Sequence, residues 1–388
     1  MAIWKTVTTI ALAGGLALAA AAPAAAQATW VAVPSPNAAG SNELLGVAGA
    51  DATHAWAVGR VVDFGVRPPT YRSVLLRWTG AAWAPDPHPR FAGNHQLSGV
   101  DARAADDAWA VGSFYEGYAG RTLVEHWDGA RWSVVASPNP NPGGGNHLAG
   151  VKAVPGAAPG TVWAVGNYGT PNTSIGSTKL ILLRSGGTWR QFTTPAVTVS
   201  DVLESVDATG ASDAWAVGWG STSPFGGTAV GITVRWNGSG WASVPIPQPS
   251  PVMLFGVEAL TPNDVWAVGQ TYLGGAHWVP IALHWDGGRW TRTAVGSFPN
   301  GGALRDIVAL SPTRIYAVGL DGEGTNARSL VLRWDGTAWT REATPSPPVG
   351  PKLFGVAAVA PATVWAVGHR YDQAAMGNRT LTLRTTNG

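Results

Sequence analysis

One short string, Trp-Ala-Val-Gly, returns along this chain at near-constant spacing and limits what the chain can fold into. It begins at Trp56, Trp109, Trp163, Trp215, Trp266 and Trp365, and Tyr316 opens a Tyr-Ala-Val-Gly between the last two. Successive copies lie 53, 54, 52, 51, 50 and 49 residues apart. Seven units of this size cannot each bury a core alone, so neighbours must stack. Around every string the pattern is of short alternating runs rich in Val, Leu and Trp, which is strand patterning. A unit of about 50 residues with several such runs is one blade of a β-propeller. The sequence therefore predicts an all-β, seven-bladed β-propeller of four-stranded blades.

The repeat's consensus reads Leu-x-Gly-Val-x-Ala, a short turn, Trp-Ala-Val-Gly, a variable connection, Leu-x-Leu-Arg-Trp-Asp-Gly, then Trp-x-x-Val and a Pro-rich linker. Units six and seven show it plainly, with Leu330 to Gly336, then Trp339, then Leu353 to Val356. We letter the four strands A to D from the ring axis outward. Asp-Gly and Asn-Gly pairs mark tight hairpins between C and D. The C-terminal segment stops after Leu381-Thr382-Leu383-Arg384, which is a C strand. Thr29 to Pro34 matches the stretch from Trp339 onward. The N-terminal segment is thus expected to supply the outer strand of the last blade, closing the ring and removing two free edges.

Residues 1–26 read as a signal peptide. Lys5 gives the positive start, Thr9 to Ala22 the apolar stretch, and Ala24-Ala25-Ala26 the small-residue cleavage site. The expectation is a secreted, extracellular protein with one propeller domain over residues 27–388. With no Cys in the chain, disulfides, thiolate metal sites and a lipidated cysteine are excluded. The formal net charge is only +2 and basic runs are absent, which argues against nucleic acid. No second long apolar run suggests membrane insertion. A charged content of 12% is low, as suits blades stacked face to face. No cofactor is implied, and a monomer is expected.

Comparing the units with one another separates scaffold from function. A residue present in every blade answers a need that every blade has. The Trp of strand B, the Trp ending strand C (Trp78, Trp127, Trp236, Trp285, Trp334) and the Trp starting strand D (Trp30, Trp83, Trp132, Trp189, Trp241, Trp290, Trp339) hold 18 of the 21 tryptophans. These are read as packing between blades. The position before the C-strand end is always basic: Arg77, His126, Arg184, Arg235, His284, Arg333 and Arg384. Cation–π stacking on neighbouring indoles explains that column better than an anion-binding ring. His126 and His284, three blades apart, are no metal pair.

The turn Trp-Asp-Gly-x-x-Trp resembles the Asp-box of sialidase-like propellers. It departs in having Arg or His where the Asp-box has Ser or Thr, and in a longer Asp-to-Trp interval. Across essentially all of the chain after the leader, the Trp-Ala-Val-Gly and Trp-Asp-Gly-x-x-Trp pattern resembles a family of seven-bladed, kelch-like repeat propellers in secreted bacterial proteins. That resemblance implies the fold and no particular activity. Galactose oxidase chemistry, which needs a Cys–Tyr crosslink at copper, is excluded.

The unrepeated residues are elsewhere. A–B and C–D turns, on one face of the disc, are short and alike. B–C and D–A connections, on the other, vary and carry aromatics, and variable loops on a rigid frame are where function sits. The binding candidates on that loop face are Tyr115, Tyr168, Trp219, Tyr272, His277, Trp278, His369 and Tyr371. Beside them stand Phe64, Tyr71, Phe114, Tyr118, Phe225, Arg370 and Asp372. Trp219 and Trp278 are the tryptophans after the leader that packing columns do not explain. D–A loops add His88, His95 and His147. On strand A, Asp101, Lys152, Asp207 and Glu258 share one repeat position, and Glu204 and Arg305 another. They read as polar channel lining, with a catalytic carboxylate pair as the alternative. Asp321 to Asn326 resembles half a Ca²⁺ loop, too little for a site.

The expected function is a binding module that recognises an extracellular glycan or protein through one asymmetric site on the B–C/D–A face. A multivalent lectin would repeat its site in every blade. The alternatives are a polysaccharide hydrolase or lyase with a channel-mouth active site, and a structural cell-surface protein. The sequence has no nucleophile motif, arginine triad or metal cluster to carry the enzymatic reading.

Overall fold

The computed structural model describes residues 29–386 apart from 170–175, 224–226, 248–250, 276, 346, 348 and 360–362. The leader and Phe225 fall outside the described residues. Seven antiparallel sheets of four strands stand in a ring, and Gly324–Asn326, a single 3-10 turn, is the helical element among the described residues. Blade one is Ser41–Asp51, His54–Asp63, Thr70–Trp78 and Trp83–Pro85. The other inner strands are His95–Ala104, Asn146–Ala153, Ser200–Gly210, Val252–Thr261, Gly302–Ser311 and Lys352–Val359, and all seven line a central channel.

The last blade is made from both ends of the chain. Its order outward is Lys352–Val359, Thr363–Asp372, Gly377–Thr385 and Trp30–Ala32. Trp30 pairs with Thr385 and Ala32 with Leu383. The strand is held beyond its ladder too: Val33 N donates to Thr382 O at 2.9 Å, and Thr380 N to Asn37 Oδ1 at 2.8 Å. Trp30 is 3% exposed and sits edge-on to Tyr316 of blade six.

The three Trp columns meet at the seams between blades. The strand-B aromatic of one blade inserts among the C-end and D-start aromatics of the next. Trp365 lies 4.8 and 4.9 Å from Trp78 and Trp83, Trp215 5.1 and 5.2 Å from Trp285 and Trp290, and Trp266 4.9 and 5.4 Å from Trp334 and Trp339. Edge-to-face and tilted geometry dominates, as ring quadrupoles favour. The basic column caps these seams. Arg77 lies over Trp127, Arg184 over Trp109 and Arg384 over Trp78 and Trp365, while His126 and His284 stack on Trp109 and Trp266.

The Trp-Asp-Gly turn is a local device. Oδ1 of Asp128, Asp286 and Asp335 each accepts two backbone N–H groups at 2.8–2.9 Å, and the following Gly has positive φ. Asx turns of this kind set the hairpin, a local structural role for these Asp side chains.

Candidate binding site at the channel mouth

The repeat's glycine creates the site. In all seven blades the pairing of strands A and B slips by one residue at the same place, between Leu44 and Gly46 in blade one and between Leu304 and Asp306 in blade six, for example. This bulge presses a strand-A carbonyl against the Gly of Trp-Ala-Val-Gly. A Cβ on Gly59 would stand 1.9 Å from Glu43 O, and one on Gly218 2.1 Å from Val202 O. Only glycine tolerates that approach. The extra residue of each bulge then lines the channel: Leu45, Ser98, Ala149, Glu204, Phe255, Arg305 and Phe354. The channel encloses about 410 Å³.

Farther from the loop face comes the strand-A position opposite the strand-B aromatic. It holds Ala48, Asp101, Lys152, Asp207, Glu258, Val308 and Ala357. Lys152 Nζ meets Asp207 Oδ1 at 2.9 Å. Asp101, Asp207 and Glu258 each reach across a seam to a backbone N–H of another inner strand. They accept from Ala153, Ala259 and Ala309 at 2.8, 2.6 and 3.1 Å. Asp306 does the same from Val356 at 2.9 Å and also accepts its neighbour Ile307 N. The carboxylates thus clip adjacent blades together around the axis. Burial pushes Glu258 up to about 8, with the charges of Asp207 and Asp306 adding and Lys152 and Ala309 N opposing. Burial likewise lifts Asp306 to about 7 against its two backbone bonds. The Asp207 charge holds Lys152 far above the usual lysine range.

A measurable consequence attaches to Asp306. An acid whose folded pKa lies above its unfolded value stabilises the fold fully below the unfolded pKa. That contribution is lost as pH rises through the folded one. Wild-type stability should therefore fall between about pH 4 and pH 8, and Asp306→Asn, which keeps an acceptor for Val356, should flatten the fall. We expect the variant to gain roughly 1–3 kcal/mol on wild type at pH 8 and little at pH 4. Denaturant midpoints at the two pH values check this, and a shift of equal size at both would unlink the Asp306 proton from folding.

At the mouth, the Arg305 guanidinium lies over the Phe255 ring at 4.3 Å and near that of Phe354 at 5.9 Å. Trp219 Nε1 donates to Glu204 Oε1 at 3.0 Å. Burial pushes the Glu204 carboxyl up, with the Trp219 bond and the Arg305 charge opposing. On the opposite side Arg60 ties Glu43 to Gln96 at 2.9 and 3.0 Å, and Asn378 Nδ2 donates to Glu43 Oε1.

The loop-face residues are more ordered than their sequence suggests. Much of what reads as B–C loop is strand, because the hairpins go on pairing toward their tips. Tyr115 pairs with Gly120, Tyr168 with Thr178, Trp219 with Gly231, Tyr272 with Trp278, His369 with Thr380 and Tyr371 with Asn378. Aromatic and β-branched side chains favour such pleated positions. Tyr115 meets Tyr71 edge-on at 6.2 Å, and Tyr168 packs on the core under blade three. Tyr272 and Trp278 lie 5.9 Å apart, Tyr272 Oη donates to Gly275 O at 2.6 Å, and His277 meets Glu323 at 3.3 Å. His369 is buried, 4.0 Å from Glu43, and tilts against Phe354. Two groups result, one at the channel mouth (Trp219, His369) and one in blade five (Tyr272, His277, Trp278). No ring contact joins them among the described residues.

Histidines of the D–A loops are engaged locally. His95 Nδ1 accepts from Ser73 N at 3.1 Å, His147 faces Ser113, and His88 meets the buried Glu125. Asp321 pairs with Arg341. Among the described residues no three His, Cys, Asp or Glu side chains converge on a common point. Sequence reasoning passed over Phe255, Phe354 and Asp306. A signal for Asp306 exists: it stands where Leu-x-Gly-Val puts Gly in five blades and Ser205 in another.

No protein-family model matches the sequence, and the search of curated proteins gives no match. Solved structures are similar in fold. YCF48 from Cyanidioschyzon merolae superposes with a TM-score of 0.55 at 16% identity, over 92% of this chain and 99% of that one. A protein of unknown function from Dyadobacter fermentans gives 0.54 at 11% identity, over 93% and 99%. A polysaccharide lyase, the PL25 ulvan lyase bound to a glucuronate–sulfated rhamnose unit, gives 0.53 at 9% identity, over 88% and 94%. At these identities the likeness is one of fold, and each match spans most of this chain.

Proposed function

We propose that this propeller is an exported binding module that takes a glycan at the channel mouth on its B–C/D–A face. The observation that carries the reading is the asymmetry of the bulge ring. Seven positions with one backbone geometry hold small or aliphatic residues in blades one to three, and Glu204, Phe255, Arg305 and Phe354 in blades four to seven. One side of the mouth therefore sets an acid, a base and two aromatic rings side by side. That combination suits a ligand with hydroxyls and hydrophobic faces. Binding is favoured over turnover because the deeper carboxylates are already engaged by backbone amides, and Asp207 by Lys152 as well.

A second reading is favoured by one observation. Glu258 and Asp306 hold their protons into the neutral range, where general acid–base catalysis operates. The two separate cleanly. A glycan panel read by calorimetry and by product assay should give binding without product. Trp219→Ala should weaken that binding by roughly 2 kcal/mol or more, and Glu258→Gln should leave it intact. New chain ends that vanish with Glu258→Gln would make the protein an enzyme.

A further inference from the structure

We infer that Arg305 anchors a carboxylate-recognising subsite in the channel mouth, so that the glycan bound there is one built of uronic acids. This rests on the channel-mouth reading above and gives it a ligand class. Among the seven bulge residues Arg305 is the one cation. Its guanidinium lies over the ring of Phe255 and near that of Phe354, which supply no acceptor. Nε is fully enclosed without a partner, and no nitrogen of Arg305 makes a hydrogen bond or ion pair with any described residue. The residue is half-buried at the mouth, and its fork is left with donors that an incoming anion can satisfy. Arg is also the side chain whose flat fork matches a carboxylate with two parallel bonds.

The surroundings select among anions. Deeper in the channel, Asp101, Asp207, Glu258 and Asp306 face a single Lys152. Glu258 and Asp306 hold their protons into the neutral range and Lys152 is taken by Asp207, so this floor offers no second free cation to a dianion such as a phosphate monoester. A monoanion is held at the mouth, where Arg305 stands. Glu204, two blades away and already bonded to Trp219, keeps hydrogen-bonding capacity for a sugar hydroxyl. The Phe255 and Phe354 rings offer apolar area beside it. An acid group flanked by hydroxyls on an otherwise apolar ring face is the chemistry of a uronate.

Calorimetry on the intact protein tests this with trimers of galacturonate, mannuronate and guluronate, each beside its carboxyl-reduced neutral counterpart. At least one uronate should bind ten-fold or more tighter than its neutral partner. Arg305→Met should erase that preference, while Arg305→Lys should restore it only in part. Without ligand, Arg305→Met should melt at or above the wild-type temperature, since an unpaired cation is removed. A marked fall in melting temperature would make Arg305 structural and overturn the proposal. So would silence of all three uronates, or tighter binding of a sulfated trimer or an acidic peptide. Neutral trimers that bind as well as uronates, with Trp219→Ala weakening both, would overturn the subsite yet keep the glycan-binding reading. No trimer affected by Trp219→Ala would remove that reading itself.

Discussion

Deleting residues 29–37 should remove several kcal/mol of stability and broaden the unfolding transition, because it strips the outer strand from the one blade assembled from both chain ends. The loss has identifiable parts. Truncating a buried aromatic such as Trp30 alone costs roughly 3–5 kcal/mol. The ladder to Thr385, Arg384 and Leu383 goes with it, as do the anchors from Val33 and Asn37 to Thr382 and Thr380. The new edge at Gly377–Thr385 also becomes a template for association. Thermal scans at several protein concentrations check both points. A truncated chain that melts like the full one, without concentration dependence, would show that this strand does not hold the ring. A peptide of residues 29–37 added in trans should recover part of the loss.

Trp266→Ala should lower stability by roughly 3–5 kcal/mol, whereas Trp278→Ala should cost no more than about 1 kcal/mol. Trp266 is 2% exposed, wedged between Trp334 and Trp339 of the next blade and covered by His284. Its removal opens a void at a seam that two blades share. Among the described residues Trp278 has one ring partner, Tyr272 in its own blade, and is only half-buried. Parallel urea titrations decide the matter. Equal losses would place Trp278 in the packing scheme and leave blade five without a surface aromatic.

The blades, their strand order and the shared last blade were legible because repetition makes the chain its own alignment. Thr29 to Pro34 could be matched to Trp339 onward only because six other copies define the segment after the C–D turn. The Trp columns were legible for the same reason. The site was less so. Trp219 stands where a loop aromatic is expected, yet it is a strand residue bonded to Glu204, because hairpin pairing continues past the disc. The bulge is invisible in the sequence, since Leu-x-Gly reads as plain alternation. The inserted residue is revealed only by register, and with it the grouping of Phe255, Arg305 and Phe354. Asp306 was hidden for a related reason, as its role depends on a backbone amide in the neighbouring blade.

The bulge also changes what mutation can do to this protein. Ordinarily a residue in a tightly packed sheet is constrained by neighbours on both faces, so altering a ligand site disturbs the fold. Here the extra residue in each inner strand is surplus to the ladder, while Leu44, Leu97, Leu148, Leu203, Leu254, Leu304 and Leu353 beside it fill the core at 0–1% exposure. Channel lining and core packing are thereby written in adjacent but separate letters. Seven positions around one axis can be exchanged nearly independently, giving a combinatorial surface on a fixed frame. A library randomised at Leu45, Ser98, Ala149, Glu204, Phe255, Arg305 and Phe354 should stay folded in most members while its ligand preferences diverge.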